Sequence, residues 1–280
     1  MKRTIGFIFI LQLICLEANS HSKDEYKVFA LRYMYYGYSP AKEWAIGAGE
    51  KDSVRVCQMI WLLQGADGRN ILVDTGQLDT SKTRKKYYIR PDSLLECINV
   101  HPSDITDIIL THPHYDHIGG INLFPKAKVW MQKDDFDYFV GEAWGENGFS
   151  KGFKKNDVRN LIEINLQGRL KLVKGDNIEI IPGIKVFIGS KHTFENQYLL
   201  VNSNSTTNKI LIASDAIWVY YNLENSLPIP IYTFDSIAYA EAMKRMKTLV
   251  TDPNLIIPGH DDLVFSKFPK VAEGIVKIGN

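Results

Sequence analysis

The sequence has little cysteine and almost no net charge. Its 280 residues include 3 cysteines, and 33 basic residues nearly balance 32 acidic ones, leaving a formal charge of +1. Such a balance gives no indication of a nucleic acid or an anionic membrane as a partner. Internal repeats, heptads and low-complexity segments are also absent, which excludes repeat proteins and coiled coils. Hydrophobic residues make up 45% of the chain and charged residues 23%, as in ordinary globular proteins.

The N-terminal apolar run is too short to give a stable membrane insertion. It extends from Ile5 to Leu16, follows two basic residues and precedes small residues, which is the pattern of a signal peptide. We expect residues 1–20 to be removed on export and residues 21–280 to form a single domain, in the periplasm or outside the cell. A buried N-terminal helix is the alternative, and the bulky Ile14 disfavours lipidation of Cys15.

The few cysteines do not form a metal or redox motif, because none has the CxxC spacing of such sites. Cys57 lies in the strand-like VCQMIWLL and Cys97 in the helix-like PDSLLECI. Two interpretations stay open, a single disulfide in an oxidising compartment or two buried free thiols.

Short apolar runs bounded by turn signals predict an α/β fold. Strands are predicted in VCQMIWLL, ILVDTG, SDITDIILTH, AKVWMQ, LIIPGHDD and, as a hairpin, in QYLLVNS and KILIASD. RLKLVKGDNIEIIPGIKVFIG reads as three short strands, while DDFDYFVGEAW and DSIAYAEAMKRMKTLV read as helices. Strands cluster in each half with helices between them, so we expect two mixed β-sheets packed together and covered by helices.

Three of the 7 histidines fall within THPHYDHIGG, residues 111–120. His112, His114, Asp116 and His117 follow the apolar strand ITDIIL, and a proline within the motif prevents a regular helix. Neutral imidazole and carboxylate are good ligands for zinc and related metals. The spacing H-x-H-x-D-H therefore predicts a metal site on a strand-end loop, with a chance surface cluster as the alternative.

Three more donors follow apolar strands, namely His192 after IKVFIGSK, Asp215 after KILIAS and His260 after LIIPG. Each alone is explained as a strand-end histidine or a turn-forming aspartate. Together they repeat one arrangement, a donor just past the end of a strand. The full set is large enough to bind two adjacent metal ions with one aspartate shared between them.

These seven donors, in this order along the chain, resemble the pattern of the metallo-β-lactamase fold superfamily. The markers are Asp74 in LVDTG, the HPHYDH loop, His192, Asp215 and His260 in PGHDD. Within the superfamily the chain is most similar to the N-acyl-homoserine lactonases, from about Val56 to Phe268. The resemblance implies a four-layer αββα sandwich and a metal-dependent hydrolase acting on a small-molecule substrate.

The resemblance also implies a role for each donor. His112, His114 and His192 would bind the first of two Zn²⁺ ions, and other divalent transition metals also suit these ligands. Asp116, His117 and His260 would bind the second, and Asp215 would bridge both. Asp74 would hold the histidine loop in place, with a simple turn residue as the alternative.

Two departures from the lactonase pattern stand out. The stretch at the third histidine reads GSKHTFENQ, with Lys191 and Glu195 where smaller or neutral residues are usual. Lactonases of this family place a tyrosine three residues after the bridging aspartate, whereas this chain has Trp218. An indole donates a hydrogen bond but is not a phenol acid. Tyr220 is a candidate replacement, as is Tyr221, with a core or surface role as the alternative for either.

The implied mechanism needs no strong protein acid. Two zinc ions about 3.5–4 Å apart share a water and lower its pKa towards about 7, so that a bridging hydroxide attacks the substrate carbonyl. One ion stabilises the oxyanion and the other accepts the leaving alkoxide. Asp116 either moves the proton to the leaving group or acts as a ligand only, and both roles stay open.

Three segments are candidates for the substrate pocket. YMYYGYSPAKEW, residues 33–44, is predicted to pack on the core rather than line a channel, because aromatic residues dominate cores. TRKKYYIRP, residues 83–91, is predicted as a solvated loop, with anion recognition as the alternative. WGENGFSKGFKKND, residues 144–157, is a candidate flap over the site.

Other functions use the same metal set. A β-lactamase fits export but does not generally use a bridging carboxylate such as Asp215. A glyoxalase-type thioester hydrolase would carry a further C-terminal region, and a nuclease would need a basic groove. A di-iron oxygen reductase would have glutamate in place of His114. A non-catalytic metal-dependent binding module is favoured by the missing tyrosine and disfavoured by the complete ligand set.

Overall fold

The computed structural model describes residues 24–78, 85–204 and 209–279. The predicted signal peptide and Cys15 therefore lie outside the described residues. Within the described ranges, no helix combines the length and apolar character that crossing a membrane requires.

The first sheet contains nine strands among the described residues. They are β1 (Tyr26–Pro40), β2 (Ser53–Gly65), β3 (Asn70–Val73), β4 (Tyr87–Tyr88), β5 (Ile105–Ile109), β6 (Lys128–Gln132), β7 (Leu170–Val173), β13 (Lys270–Ala272) and β14 (Ile275–Ile278). Their order is β13-β14-β1-β2-β3-β5-β6-β7, and β4 pairs with β1. The β3-β5-β6-β7 part is parallel and the other pairs are antiparallel, so the sheet is mixed.

The second sheet, in the same part of the chain, has five strands in the order β12-β11-β10-β9-β8. They are β8 (Ile178–Ile181), β9 (Ile184–Ile188), β10 (Gln197–Asn202), β11 (Lys209–Ser214) and β12 (Ile256–Pro258). The β11–β12 pair is parallel and the others are antiparallel, so this sheet is also mixed. The predicted hairpin is β10 and β11.

Helices pack against both sheets. They are α1 (Pro91–Glu96), α2 (Tyr115–Ile118), α3 (Lys133–Val140), α4 (Lys155–Leu166), α5 (Tyr220–Asn225), α6 (Ser236–Leu249) and α7 (Val264–Lys267). Short 3-10 turns lie at Ala41–Glu43, Pro102–Asp104, Ile121–Leu123, Glu142–Trp144 and Pro253–Leu255. Asp235 is the N-cap residue of α6. Its side chain accepts hydrogen bonds from the backbone N–H groups of Ile237 and Ala238 at 2.9 and 3.1 Å.

Strand β2 shows why the sequence predicts buried sheets. Its side chains alternate between two cores, with Met59, Trp61 and Leu63 in one and Ile60 and Leu62 in the other. The first core includes the second sheet and α6, and the second includes α1, α3 and α4. A strand covered on both faces reads as a continuous apolar run rather than an alternating one. The predicted four-layer αββα sandwich of two mixed sheets is confirmed.

Cys57 and Cys97 are both free. Cys57 is buried in β2, and Cys97 is exposed just after α1. The structure therefore contains no Cys57–Cys97 disulfide, and the expectation of two buried thiols was wrong for Cys97.

Candidate metal centre

The seven predicted donors lie at strand ends that the two sheets bring to one edge. The HPHYDH loop follows β5 of the first sheet, while His192, Asp215 and His260 follow β9, β11 and β12 of the second. The donors form two clusters, with ligand atoms in each cluster within 4.8 Å of one another: His112, His114, His192 and Asp215, then Asp116, His117 and His260.

The first cluster is a buried group of three imidazoles. The Nδ1 atom of His114 lies 3.0 Å from the Nε2 atoms of both His112 and His192. The Oδ2 atom of Asp215 lies 3.2 Å from His192 Nε2 and 3.8 Å from His112 Nε2. The ring nitrogens and one carboxylate oxygen therefore converge on a common point.

The second cluster lies on the other side of the Asp215 carboxylate. Asp215 Oδ1 is 3.2 Å from His117 Nε2 and 3.1 Å from His260 Nε2. Asp116 Oδ2 lies 3.7 and 4.0 Å from the same two nitrogens. One carboxylate thus faces both clusters, as the sequence predicts for a shared ligand.

The two imidazoles of the second cluster are held by the protein through their Nδ1 atoms. His117 Nδ1 is 2.7 Å from Asp74 Oδ2, and His260 Nδ1 is 3.1 Å from the carbonyl oxygen of Cys57. Protons on these Nδ1 atoms leave the Nε2 lone pairs free to bind a metal. The buried atoms His117 Nε2 and Asp215 Oδ1 have no hydrogen-bond partner in the structure. Since such atoms are normally satisfied, a cation among them fits this donor set.

The pKa values of the site histidines are shifted in different directions in the two clusters. Burial lowers the pKa of His112 and His114, and their imidazole neighbours lower it further. Burial also opposes a charge on His117, but the carboxylates of Asp215, Asp74 and Asp116 outweigh it and raise its pKa. The neutral form is thus favoured at His112 and His114, whereas the protonated form is favoured at His117.

Metal binding is expected to release protons at neutral pH, because the raised pKa of His117 keeps it protonated and a metal needs the neutral imidazole. The apparent metal affinity should therefore fall as the pH falls from about 8 to about 6, because the metal must displace this proton at any pH below the raised pKa of His117. An indicator-monitored titration of the metal-free protein with zinc measures both effects. The exposed His101 supplies a control, since the H101A variant should release as many protons on metal binding as the wild-type protein does. Affinity that does not vary over this range would contradict the assignment.

The LVDTG turn supports the histidine loop. Asp74 has a positive φ of 62°, and its carboxylate accepts hydrogen bonds from the Thr111 N–H at 2.8 Å and the Ser214 hydroxyl at 3.2 Å, besides its contact with His117. The two glycines of HIGG follow from the same packing, because a Cβ atom on Gly120 would collide with the carbonyl oxygen of Thr75. Asp74 therefore contacts the histidine loop directly, and its positioning role stays a prediction.

A buried carboxyl on α3 holds the loop that carries His192. Asp135 accepts hydrogen bonds from the Thr193 hydroxyl at 2.8 Å and the Glu195 N–H at 3.2 Å. Burial raises the pKa of Asp135 to about 7, although these two bonds lower it in part. The sequence analysis missed this residue, because an aspartate in the first turn of a helix is already explained by the helix dipole.

Replacing Asp135 by Ala is expected to lower the free energy of unfolding by about 1–3 kcal/mol, because two buried donors lose their acceptor. The looser His192 loop should also weaken metal binding. Chemical unfolding and metal titration measure the two effects. Asp134 is the matched control, being the exposed neighbour on the same helix turn. Equal stability of D135A and D134A would show that Asp135 does not hold the loop.

A cavity of about 690 Å³ opens onto both clusters. Its walls are rich in aromatic residues, namely Tyr36, Tyr38, Trp44, Tyr115, Trp218 and Tyr232. Residues 33–44 therefore do more than pack on the core as expected, since six of these twelve residues, between Tyr36 and Trp44, line the cavity. Of the predicted flap, Gly152 reaches the cavity, and its carbonyl oxygen accepts a hydrogen bond from the Tyr115 N–H at 3.0 Å.

The tyrosines proposed near Trp218 do not reach the site. Neither Tyr220 nor Tyr221 lines the cavity. Tyr220 is buried with its ring 3.8 Å from the Lys267 ammonium, and the Tyr221 hydroxyl donates to Asp52 at 2.6 Å. The expectation that Tyr220 is catalytic was therefore wrong, because α5 begins there and turns the side chain away.

Tyr232 is the phenol that the sequence analysis missed. Its ring lies 5.3 Å from that of His114 and 6.4 Å from that of His192. Burial raises its pKa, and the charge of Asp116 raises it further, so the hydroxyl stays protonated at neutral pH. Its backbone has a positive φ of 56°, which no sequence pattern indicated.

Comparison with known proteins places the chain in a family. The model of the metallo-beta-lactamase superfamily matches residues 58–260. The chain belongs to this superfamily of metal-dependent hydrolases.

Individual relatives are more distant. An N-acyl homoserine lactonase of Bacillus cereus is 24% identical over 218 residues, which cover 72% of this chain and 80% of the relative. A quorum-quenching N-acyl homoserine lactone lactonase superposes with a TM-score of 0.67 at 21% identity, over 88% of this chain and 96% of that one. The dizinc quorum-quenching lactonase AidC gives a TM-score of 0.63 at 19% identity, over 93% and 96% of the two chains. These structures show the same fold.

Proposed function

We propose that the protein is an exported dinuclear zinc hydrolase that opens lactones of the N-acyl-homoserine type or related esters. The observation that carries the proposal is the Asp215 carboxylate, whose two oxygens lie within 3.2 Å of histidine nitrogens from both clusters. The similarity to N-acyl homoserine lactonases supports the substrate class. The signal-peptide pattern supports export to the periplasm or the cell exterior.

Each side chain has a defined part in this reaction. Two ions held by the clusters would supply Lewis acidity and lower the pKa of a bound water. Asp116 lines the cavity and accepts a hydrogen bond from the Gln58 amide at 2.9 Å, so it faces both the ligands and the substrate. The Tyr33 hydroxyl donates to the Asp116 carbonyl at 2.8 Å and fixes the backbone there. Tyr232 is placed to donate a hydrogen bond to a substrate oxygen.

Asp116→Asn separates the two roles proposed for this residue. If Asp116 moves the proton to the leaving group, turnover at equal metal content should fall about 100-fold or more, as for loss of a general acid. The effect should be smaller for substrates with good leaving groups, which need no protonation. The measurement is kcat on an alkyl lactone and on an aryl ester, with metal content determined for each sample. Unchanged turnover on both substrates would leave Asp116 as a ligand only.

The proposed function is tested by hydrolysis with the purified protein and quantified metal. The panel contains short- and long-chain acyl-homoserine lactones, an aryl ester, a β-lactam and a glutathione thioester. Lactone opening that disappears on chelation and returns with zinc is the expected result. Ester or thioester turnover without lactone opening would change the substrate class. No turnover at full metal loading would favour a metal-dependent binding module, the function that Trp218 in place of the family tyrosine suggests.

Export is tested separately, by fractionating cells that produce the full-length chain. A processed protein in the periplasm or the medium is expected, with an N-terminus near residue 21. An unprocessed chain retained in the cell would contradict export without affecting the catalytic proposal.

A further inference from the structure

Trp218 lies between the two clusters and belongs to neither. Its ring centroid is 5.8 Å from that of His192 in the first cluster and 6.1 Å from that of His260 in the second. The side chain is 6% exposed and lines the cavity. It is therefore in position to influence both groups of ligands.

Trp218 makes a direct hydrogen bond to the shared carboxylate. Its indole Nε1 donates to Asp215 Oδ2 at 2.8 Å. The indole N–H is a donor only and keeps its proton, whereas the imidazoles around Asp215 bind metal through lone pairs. The Trp218 N–H therefore remains a donor whether or not metal is bound.

This bond engages only one of the two carboxylate oxygens, Oδ2. With Oδ2 held by Trp218, that oxygen lies 3.2 Å from His192 Nε2, while Oδ1 lies 3.2 Å from His117 Nε2. His260 Nε2 is nearly equidistant, at 3.1 and 3.2 Å from the two oxygens, so it does not fix the orientation. The terminal torsion of aspartate is broad, and a carboxylate without such a contact rotates.

We propose that Trp218 is a positioning residue that orients the Asp215 carboxylate, so that Oδ2 faces the three-histidine cluster and Oδ1 faces the cluster of Asp116, His117 and His260. The proposal rests on the metal site of the proposed function. A carboxylate that is already oriented does not have to rotate when metal binds. The N–H of Trp218 therefore raises the affinity for metal. Hydrogen-bond partners of metal ligands commonly contribute 10–100-fold in affinity.

Packing is the competing explanation, because the Trp218 ring also contacts Trp44 at a centroid distance of 5.3 Å. Two substitutions separate the explanations. W218F keeps an aromatic ring and removes the donor. W218Q removes the ring and keeps a donor, since the amide nitrogen of Gln lies as many bonds from Cβ as the indole nitrogen does. W44F is the matched control, because Trp44 lines the same cavity but its Nε1 donates to the Ser39 hydroxyl at 2.8 Å.

The experiment is a competition titration of the metal-free protein with zinc and cobalt against a chromophoric chelator. The absorption spectrum of the cobalt form is recorded for each variant. We expect W218F to weaken binding by about 10-fold or more and to alter the cobalt spectrum. W218Q and W44F should keep nearly wild-type affinity and spectrum. Circular dichroism before titration shows that each variant is folded.

Two results would overturn the proposal. In the first, W218F binds metal like the wild type. In the second, W218Q or W44F binds as weakly as W218F, which would assign the effect to packing. If the wild-type protein itself binds no metal, the proposed function fails, and this result is distinguishable because it does not depend on any substitution.

Discussion

Replacing Asp215 by Asn is expected to abolish turnover and to remove most of the bound metal. The Asp215 carboxylate carries the negative charge that both clusters share, and the charges of His260 and His117 hold its pKa well below the usual range against the opposing effect of burial. An amide offers one neutral oxygen in place of two charged ones. Since loss of an outer partner alone costs 10–100-fold in metal affinity, loss of a shared ligand should cost at least about 100-fold. Metal content after dialysis and kcat/KM measure the two effects.

Asp261→Asn is the matched control for this prediction. Asp261 is a buried carboxyl beside His260, and it accepts hydrogen bonds from the N–H groups of Tyr220 and Leu263 at 2.8 Å rather than facing the clusters. D261N is expected to change stability while leaving metal content and turnover close to wild type. If D215N retained both ions and wild-type turnover, the carboxylate would not be a shared ligand.

Replacing Asp74 by Ala is expected to produce the largest loss of stability among the site variants. The carboxylate is fully buried, and its removal leaves donors on Thr111, Ser214 and His117 without an acceptor. Breaking a buried charged pair typically costs 3–5 kcal/mol, so we expect the free energy of unfolding to fall by about that amount. Alanine at a positive φ adds about 1 kcal/mol or more. Metal affinity should fall about 10–100-fold, because His117 loses its support.

Chemical unfolding and metal titration distinguish this role from burial in general. Asp107 is a buried carboxyl outside the site that accepts a hydrogen bond from Trp130 Nε1 at 2.9 Å. D107A should lose about 1–3 kcal/mol of stability and no metal affinity. If D74A bound metal as tightly as D107A, Asp74 would be a turn residue only.

The strand-end donors could be predicted because their signal is local. Apolar strands, turn residues and the H-x-H-x-D-H spacing all lie within short segments, and sheets bring strand ends together. The structure places all seven donors in two clusters as expected. Their assignment as ligands of two zinc ions stays a prediction.

The residues that sequence reasoning missed depend on contacts between distant segments. Asp135 supports a loop 58 residues later, and Tyr232 lies against His114, which is far from it in the chain. Neither contact leaves a periodic pattern. Tyr220 was misjudged for a similar reason, because its proximity to Asp215 in sequence does not reveal that a helix begins there. The spacing of residues along the sequence therefore identifies the donors on one loop, but not the residues from distant segments that contact them.

The local clustering of ligands has a consequence for folding. Four of the seven donors lie between His112 and His117, whereas the other three come from distant strand ends and are assembled only when both sheets form. If these donors bind zinc as proposed, the unfolded chain already carries a short segment with four of the ligands. Because a ligand that also binds the unfolded state stabilises the native state less, zinc should raise the unfolding temperature by less than its native affinity implies. Excess zinc should accordingly slow refolding, because zinc would bind the HPHYDH loop before His192, Asp215 and His260 are assembled around it.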